Sequence, residues 1–387
     1  MNNKKKIQSV GFIATALLGA AMSAQATETL NYAHAYPSGS IPDKAAHQYA
    51  EDVKKFSNGE LSVKVYPSTL LTGSEMSDGI RDGLADSGGV LTVYFPSIYP
   101  HINMMNESSM QLQLMDQELV ADGVGALAFE GAMSEFMFFH CPECNQEYAD
   151  QNQVYTGNSA SSRYALLCTK EVTEQSHMEG LRLRVAGAHW SRWIQAFGGT
   201  SLSMTVGELT EALDQGVIDC TASAIPELIN LGMIETVTDI TTDIPSGAYA
   251  GASTASTNQD VWRNLTADQR KALLRAGAHY AASVPFESVM QEQTTLDRAR
   301  EEGINIHQAS PELLAATREF VEKDLQKNIN YYAERHGVSR GQEMLDDLRE
   351  LLEKWLVLVQ DVDSGEELGE LFWTEVYSKV DVNSHGL

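Results

Sequence analysis

Between Gly180 and Ser223 the apolar positions switch between two periods. Leu181, Leu183 and Val185 alternate with Arg182 and Arg184, the two-residue period of a strand with its apolar side chains on one face and both guanidinium groups on the other. Trp190, Trp193, Ile194 and Phe197 follow at i, i+3, i+4 and i+7, a helical stripe stopped by Gly198-Gly199. Thr205 and Glu208 have capping-box spacing and start a second helix, with Leu209, Leu213 and Val217 as its apolar positions and Gly216 at its end. Thr221 to Ser223 closes the run as a strand. The pattern predicts a βαβαβ unit with parallel strands, whose carboxyl ends open on the crevice where such sheets bind ligands. Arg184, Met204 and residues 221–223 fall at those ends.

The N-terminal part repeats the scheme. Leu30 to Ala35 reads as a strand and Ile41, Ala45, Tyr49, Val53 and Phe56 as a helical face ended by Asn58-Gly59. Leu61, Val63 and Val65 alternate, Met76, Ile80 and Leu84 lie four apart, and Gly88 to Phe95 reads as a strand. Residues 72–86 align without a gap on 205–219, pairing Thr72, Glu75, Gly83 and Asp86 with Thr205, Glu208, Gly216 and Asp219. Each match does one structural job: cap, capping partner, helix stop, strand edge. Two similar lobes are expected, and no solenoid, because no further copy appears.

From Ile102 to about Ala149 the pattern is helical. Glu130, Gly131 and Glu135 interrupt its most apolar part, so a buried helix is expected there and no membrane span. Tyr155 to Thr169 reads as strand, Ile225 to Leu231 as a helix start, and 240–257 as β-like. Trp262 to Tyr280 is helical. Ser310-Pro311 opens and Gly337 closes another helix, and Leu348, Leu352, Trp355 and Val359 line a last one. That stripe is too short for a dimerising coil, so a monomer is expected.

Composition changes this picture in three places. Lys4, Lys5 and Lys6 precede an apolar run from Val10 to Ala21 and a small-x-small pattern at Ala24-Gln25-Ala26, which predicts a signal peptide over 1–26, cleavage after Ala26 and an exported protein. No cysteine near the cut offers a lipid-attachment site. The formal net charge is −26, and −26 − 3 = −29 once those three lysines are gone. Such an acidic surface argues against nucleic acid as a partner.

Four cysteines remain in an expected oxidising compartment. Cys141 and Cys144, in HCPEC, suit a disulfide; a zinc site has only His140 beside it, and a thioredoxin-type pair would follow a strand. Cys168 and Cys220 are either bridged or simply buried.

The runs VKVYPSTLLTGSEMSDGIRDGLAD, MEGLRLRVAGAH and FGGTSLSMTVGELTEALDQGVID resemble the substrate-binding subunits of TRAP transporters, the DctP-type periplasmic receptors. The similarity runs from about Leu30 to Tyr280, with an unusual insert near 105–150 and a longer C-terminal end. It implies an α/β fold of the periplasmic binding protein type: two α/β lobes joined by crossing strands and a long helix, plus extra C-terminal helices. The expected division is 27–154 with 240–285 as the first lobe, 155–239 as the second, and 286–387 as a helical region packing across both. The resemblance further implies a ligand enclosed by hinge closure and delivered to membrane permease subunits, with Arg184 holding its carboxylate. The alternative for Arg184 is a structural ion pair, and Arg182 stands evenly between the two roles. Many relatives carry Asn at the fourth position after the residue matching Asp219; Ser223 stands there, which implies a pocket unlike one for a C4-dicarboxylate.

Tyr36, Tyr94, Phe95, Trp190 and Tyr249 are the aromatic candidates for the ligand site, with Trp190 equally suited to the core. The expected function is therefore a non-catalytic receptor for a small organic acid. A receptor for an amine or zwitterion, an exported thiol-redox protein and an enzyme are the competing readings. No H-E-x-x-H, P-loop or G-x-G-x-x-G with an acidic partner occurs, so neither metal nor cofactor is expected.

Overall fold

The computed structural model describes residues 27–387, so the expected signal peptide lies outside the described residues. The N-terminal unit is β1 (Glu28–His34), α1 (Ile41–Phe56), β2 (Leu61–Pro67), α2 (Met76–Arg81) and β3 (Ser87–Leu91), with β1 parallel to β2 and β3. Ile41, Ala45, Tyr49 and Val53 all turn inward from α1. Asn58 at φ 52° and Gly59 at φ 82° end it in the left-handed region. Two expectations were too long. α2 stops at Arg81 and Gly83 takes φ 76°, so Leu84, beyond the stop, is 63 % exposed and not part of an apolar face. The strand predicted to Phe95 ends at Leu91 and gives way to a 3₁₀ turn over Thr92–Tyr94.

The insert contains α3 (Pro100–Asn106), a 3₁₀ segment (Glu107–Gln113), α4 (Val124–Phe139) and α5 (Pro142–Asp150). The chain then pairs with the first sheet through β4 (Gln153–Val154) and β5 (Asn158–Ser159) before entering the second lobe at β6 (Tyr164–Cys168). The second unit follows as β7 (Arg182–Val185), α6 (Ala188–Ala196), β8 (Thr200–Ser203), α7 (Leu209–Asp214) and β9 (Cys220–Ala224). β7 runs parallel to β8 and β9, and β6 antiparallel to β9. The Thr205–Glu208 capping box is present.

The rest of the chain is α8 (Glu227–Asn230), β10 (Asp239–Thr241), β11 (Ala252–Asn258), α9 (Gln259–Asn264), α10 (Ala267–Glu301), β12 (Asn305–His307), α11 (Pro311–His336), α12 (Gly341–Leu358) and α13 (Gly365–Glu375). The first sheet has the order β2-β1-β3-β11-β4 with β5 also on β11, and the second β12-β10-β6-β9-β7-β8. This revises three boundaries. The first lobe does not end at 154, because β5 at Asn158–Ser159 still pairs with β11 in the first sheet. The β-like stretch 240–257 is two strands in different sheets, since β10 pairs with β6 and only β11 returns to the first sheet. The region after 286 is not wholly helical, because β12 adds an edge to the second sheet beside β10.

α10, with 35 residues, is the long connecting helix. At about 1.5 Å per residue it reaches from α1 and α13 beside the first sheet to β12 on the second. α11 lies against α3 and α6, and Arg192 of α6 is paired with Asp324 of α11 at 2.8 Å and with Glu107 of the insert at 3.3 Å. α12 buries Leu348, Leu352 and Trp355 against α4. Gly131 makes room for that packing, for a Cβ there would come within 2.3 Å of the Trp355 ring, and the Trp355 indole donates to Glu135 at 2.8 Å. The apolar stripe of α12 is thus consumed inside the chain. Among the described residues no helix is long and apolar enough to cross a membrane.

Candidate functional site

A cavity of about 70 Å³ lies between the sheets, several times the roughly 10–15 Å³ that one water requires. Only a compact solute fits such a space. The first lobe lines it with residues after β1 (Ala35, Tyr36) and β3 (Val93, Tyr94), the second with the carboxyl ends of β7 (Arg184, Ala186) and β9 (Ser223, Ala224), and α10 lays Tyr280, Val284 and Ser288 along one side. Parallel strands end here in both lobes, so the polypeptide turns away and leaves the crevice open to side chains.

Arg184 is the pivotal side chain. It is 1 % exposed, and its Nε and Nη2 both donate to the Met204 carbonyl, at 3.2 and 3.0 Å. Among the described residues no carboxylate lies within 4.0 Å of it, whereas Arg182 is fully engaged by Asp219 at 2.8 Å. Arg182 also donates to the Gly216 carbonyl at 2.6 Å, which resolves its evenly balanced roles toward the structural one. Alternation along β7 does not put both arginines in the site: Arg182 is at the strand start and exposed, and Arg184 is buried at its end.

Tyr94 closes the cavity from the opposite lobe. Its hydroxyl accepts from the Val206 N–H at 3.0 Å, and burial raises its pKa while the neighbouring Arg184 charge pulls it back. A second interlobe bond runs from the Ile41 N–H to the Asn230 side-chain oxygen at 3.3 Å. Tyr249 accepts from the Val93 N–H at 3.4 Å, and Tyr36 and Ser223 also line the cavity.

Two aromatic candidates lie elsewhere. Trp190 is fully buried behind Tyr164, whose ring stacks on it at 4.2 Å, and its indole donates to the Ser246 carbonyl at 2.9 Å. Tyr164 therefore presents the aromatic surface to the cavity. Phe95 is partly buried and packs against the first-lobe core, edge-on to Tyr99 at 6.3 Å. It follows a 3₁₀ turn rather than continuing the strand, which removes it from the alternation expected to aim it at the site.

Several wall residues had no signal in the sequence. His34 is bonded to Asp43 at 3.1 Å, and burial lowers its pKa against the pull of that carboxylate. Tyr164, Tyr280 and Glu227 also line the cavity. Burial pushes the Glu227 carboxyl up to about 7, with the Asn230 amide and the Arg184 charge opposing the rise. Glu227 is one of 53 acidic residues, and only its place directly after β9 could have marked it.

Both cysteine pairs are bridged. Cys141–Cys144 caps α5 and Cys168–Cys220 joins directly opposed residues of β6 and β9. All four side chains are at most 1 % exposed.

The model of the DctP family, bacterial extracellular solute-binding protein family 7, matches residues 32–331. The chain belongs to this family. A solute-binding protein of Albidiferax ferrireducens is 20 % identical over 289 residues, covering 72 % of this chain and 80 % of the relative. Among solved structures, a marine-metagenome TRAP solute-binding protein specific for aromatic acids, in complex with 3-hydroxybenzoate, aligns with TM-score 0.73 at 19 % identity, over 85 % of this chain and 99 % of that one. A Bordetella pertussis extracytoplasmic solute receptor binding pyroglutamic acid aligns with TM-score 0.65 at 18 % identity, over 83 % and 99 %. The two-lobe α/β fold is thus that of the TRAP receptors, and the DctP family is one of solute-binding proteins.

Proposed function

We propose that this TRAP-type receptor binds a small organic acid between its lobes in the periplasm and delivers it to membrane permease subunits. Arg184 takes the carboxylate. The observation that carries this reading is a guanidinium 1 % exposed at a cavity wall, with one backbone carbonyl as its acceptor and no carboxylate within ion-pair distance among the described residues. A buried cation in that state is stabilised by an anion that supplies the missing acceptors. A carboxylate matches the planar fork through two charge-assisted hydrogen bonds. Solved relatives with pyroglutamate and with 3-hydroxybenzoate support the ligand class. Ser223, Tyr36, Tyr94 and Tyr249 complete the pocket, and the interlobe bonds of Tyr94 and Asn230 hold it shut.

A thermal-shift screen of small acids tests the proposal, because a ligand of the native state raises its melting temperature. The expected result is stabilisation by at least one monocarboxylic acid, lost in Arg184→Ala while the fold is retained. Stabilisation by amines alone would overturn it.

A further inference from the structure

We infer that Glu227 selects the ligand by accepting a hydrogen bond from it, so that the solute is a small acid that also carries an N–H or O–H donor separate from its carboxylate. This rests on the acid-receptor reading and narrows it. Glu227 opens α8, immediately after β9 has delivered Ser223 and Ala224 to the cavity wall, and it lines the same cavity as Arg184. Its Oε2 is sealed from bulk solvent and makes no hydrogen bond within 3.5 Å among the described residues, the nearby Asn230 amide nitrogen being likewise unpaired. Glu227 and Arg184 nevertheless do not pair, since no ion pair joins them among the described residues within 4.0 Å. Each therefore retains bonding capacity on its own side of one enclosed space.

The two groups make opposite demands. Arg184 has only N–H donors to offer, and a ligand carboxylate meets them. The orphaned Glu227 oxygen calls for a donor, and a buried acceptor left without one is penalised more heavily than the bond itself would contribute. A site built this way rejects an analogue that lacks the donor more strongly than a purely apolar pocket rejects a size change. The rest of the α8 turn is tied to the first lobe. Asn230, at its end, accepts from the Ile41 N–H of the first lobe at 3.3 Å, which ties α8 to the closed arrangement.

Matched pairs of acids test this by isothermal titration on the mature chain. Pyroglutamate is compared with 3-oxocyclopentane-1-carboxylate, which keeps the ring carbonyl and replaces N–H by CH₂, and 3-hydroxybenzoate with benzoate, which lacks the O–H. In the pair that fits the pocket, the donor-bearing acid is expected to bind roughly tenfold tighter or more. Glu227→Met, which removes the acceptor, should bring the two within about twofold, and Glu227→Gln, which keeps a carbonyl oxygen, should preserve a preference. Equal binding of both members by the parent protein overturns the role of Glu227 and leaves the acid-receptor reading standing. Failure of all four acids, with an amine binding and Arg184→Ala indifferent to it, overturns both. If Glu227→Met does not fold, the comparison within the parent protein still decides.

Discussion

The two βαβαβ units share a hydrogen-bond scheme, and they differ where the ligand is expected. In the first, Thr72 N–H and Oγ1 donate to Glu75 at 3.0 and 2.7 Å; in the second, Thr205 does the same to Glu208 at 2.8 and 2.7 Å. Asp86 accepts from the Asn31 N–H at 2.7 Å and Asp219 from the Arg182 N–H at 2.9 Å. The register then equates Ala33, opposite Gly88, with Arg184, opposite Thr221. Gly88 is required there, since a Cβ would come within 2.6 Å of the Ala33 carbonyl. A common frame thus carries small residues in one lobe and a guanidinium in the other. The guanidinium belongs to one lobe alone; the other brings Tyr94 and Tyr36 to the same cavity.

Four experiments break or sharpen that contrast. The largest effect concerns the second sheet, where Cys220 bridges to Cys168 and its first-lobe counterpart is Ser87. Closing a loop of 52 residues stabilises by about 4 kcal/mol on chain-entropy grounds. The Cys168→Ala/Cys220→Ala protein should lose up to that amount in a urea melt, against about 2 kcal/mol for Cys141→Ala/Cys144→Ala, whose loop is only 3 residues. Next, Arg184→Ala makes the second lobe resemble the first and should weaken acid binding by about 3 kcal/mol, near a hundredfold in Kd by titration calorimetry.

Thr72→Ala and Thr205→Ala should each lower stability by about 1 kcal/mol. Only the second should also weaken binding, because Thr205 follows the Met204 carbonyl that holds Arg184. The smallest effect is the pH response of Asp219. Hydrogen bonds from Arg182 hold its carboxyl down at about 2, below its unfolded value of about 3.9. The contribution is complete above about pH 4 and is lost as pH falls toward 2. Arg182 is 44 % exposed, so solvent screening limits the term to less than about 1 kcal/mol. An acid melt of Asp219→Asn should lack that slope.

The repeated unit was legible because its signals are local. A capping box, a glycine stop and a strand period are each set within a few residues, and Thr205–Glu208, Gly216 and the face of α1 all formed as spaced. The limits of that reading appear where an element ends: Leu84 and Val217 extend apolar stripes on paper, yet both lie just past a left-handed glycine and are 63 % and 44 % exposed. The helical stripe of Trp190 was equally plain, but its separation from the cavity depends on Tyr164, which arrives from another strand.

The amino-acid sequence by itself determined the two-lobe frame, its caps and stops, and a strand that ends in Arg184, because periodicity and capping chemistry act over one or two turns. Tertiary structure alone decided that Arg182 is taken by Asp219 while Arg184 is not, that β10 and β11 go to different sheets, that Cys168 meets Cys220, and that Glu227 shares a cavity with Arg184. Each of these joins residues far apart in the chain, and burial together with strand register, neither of which has a local signature, brings them into contact.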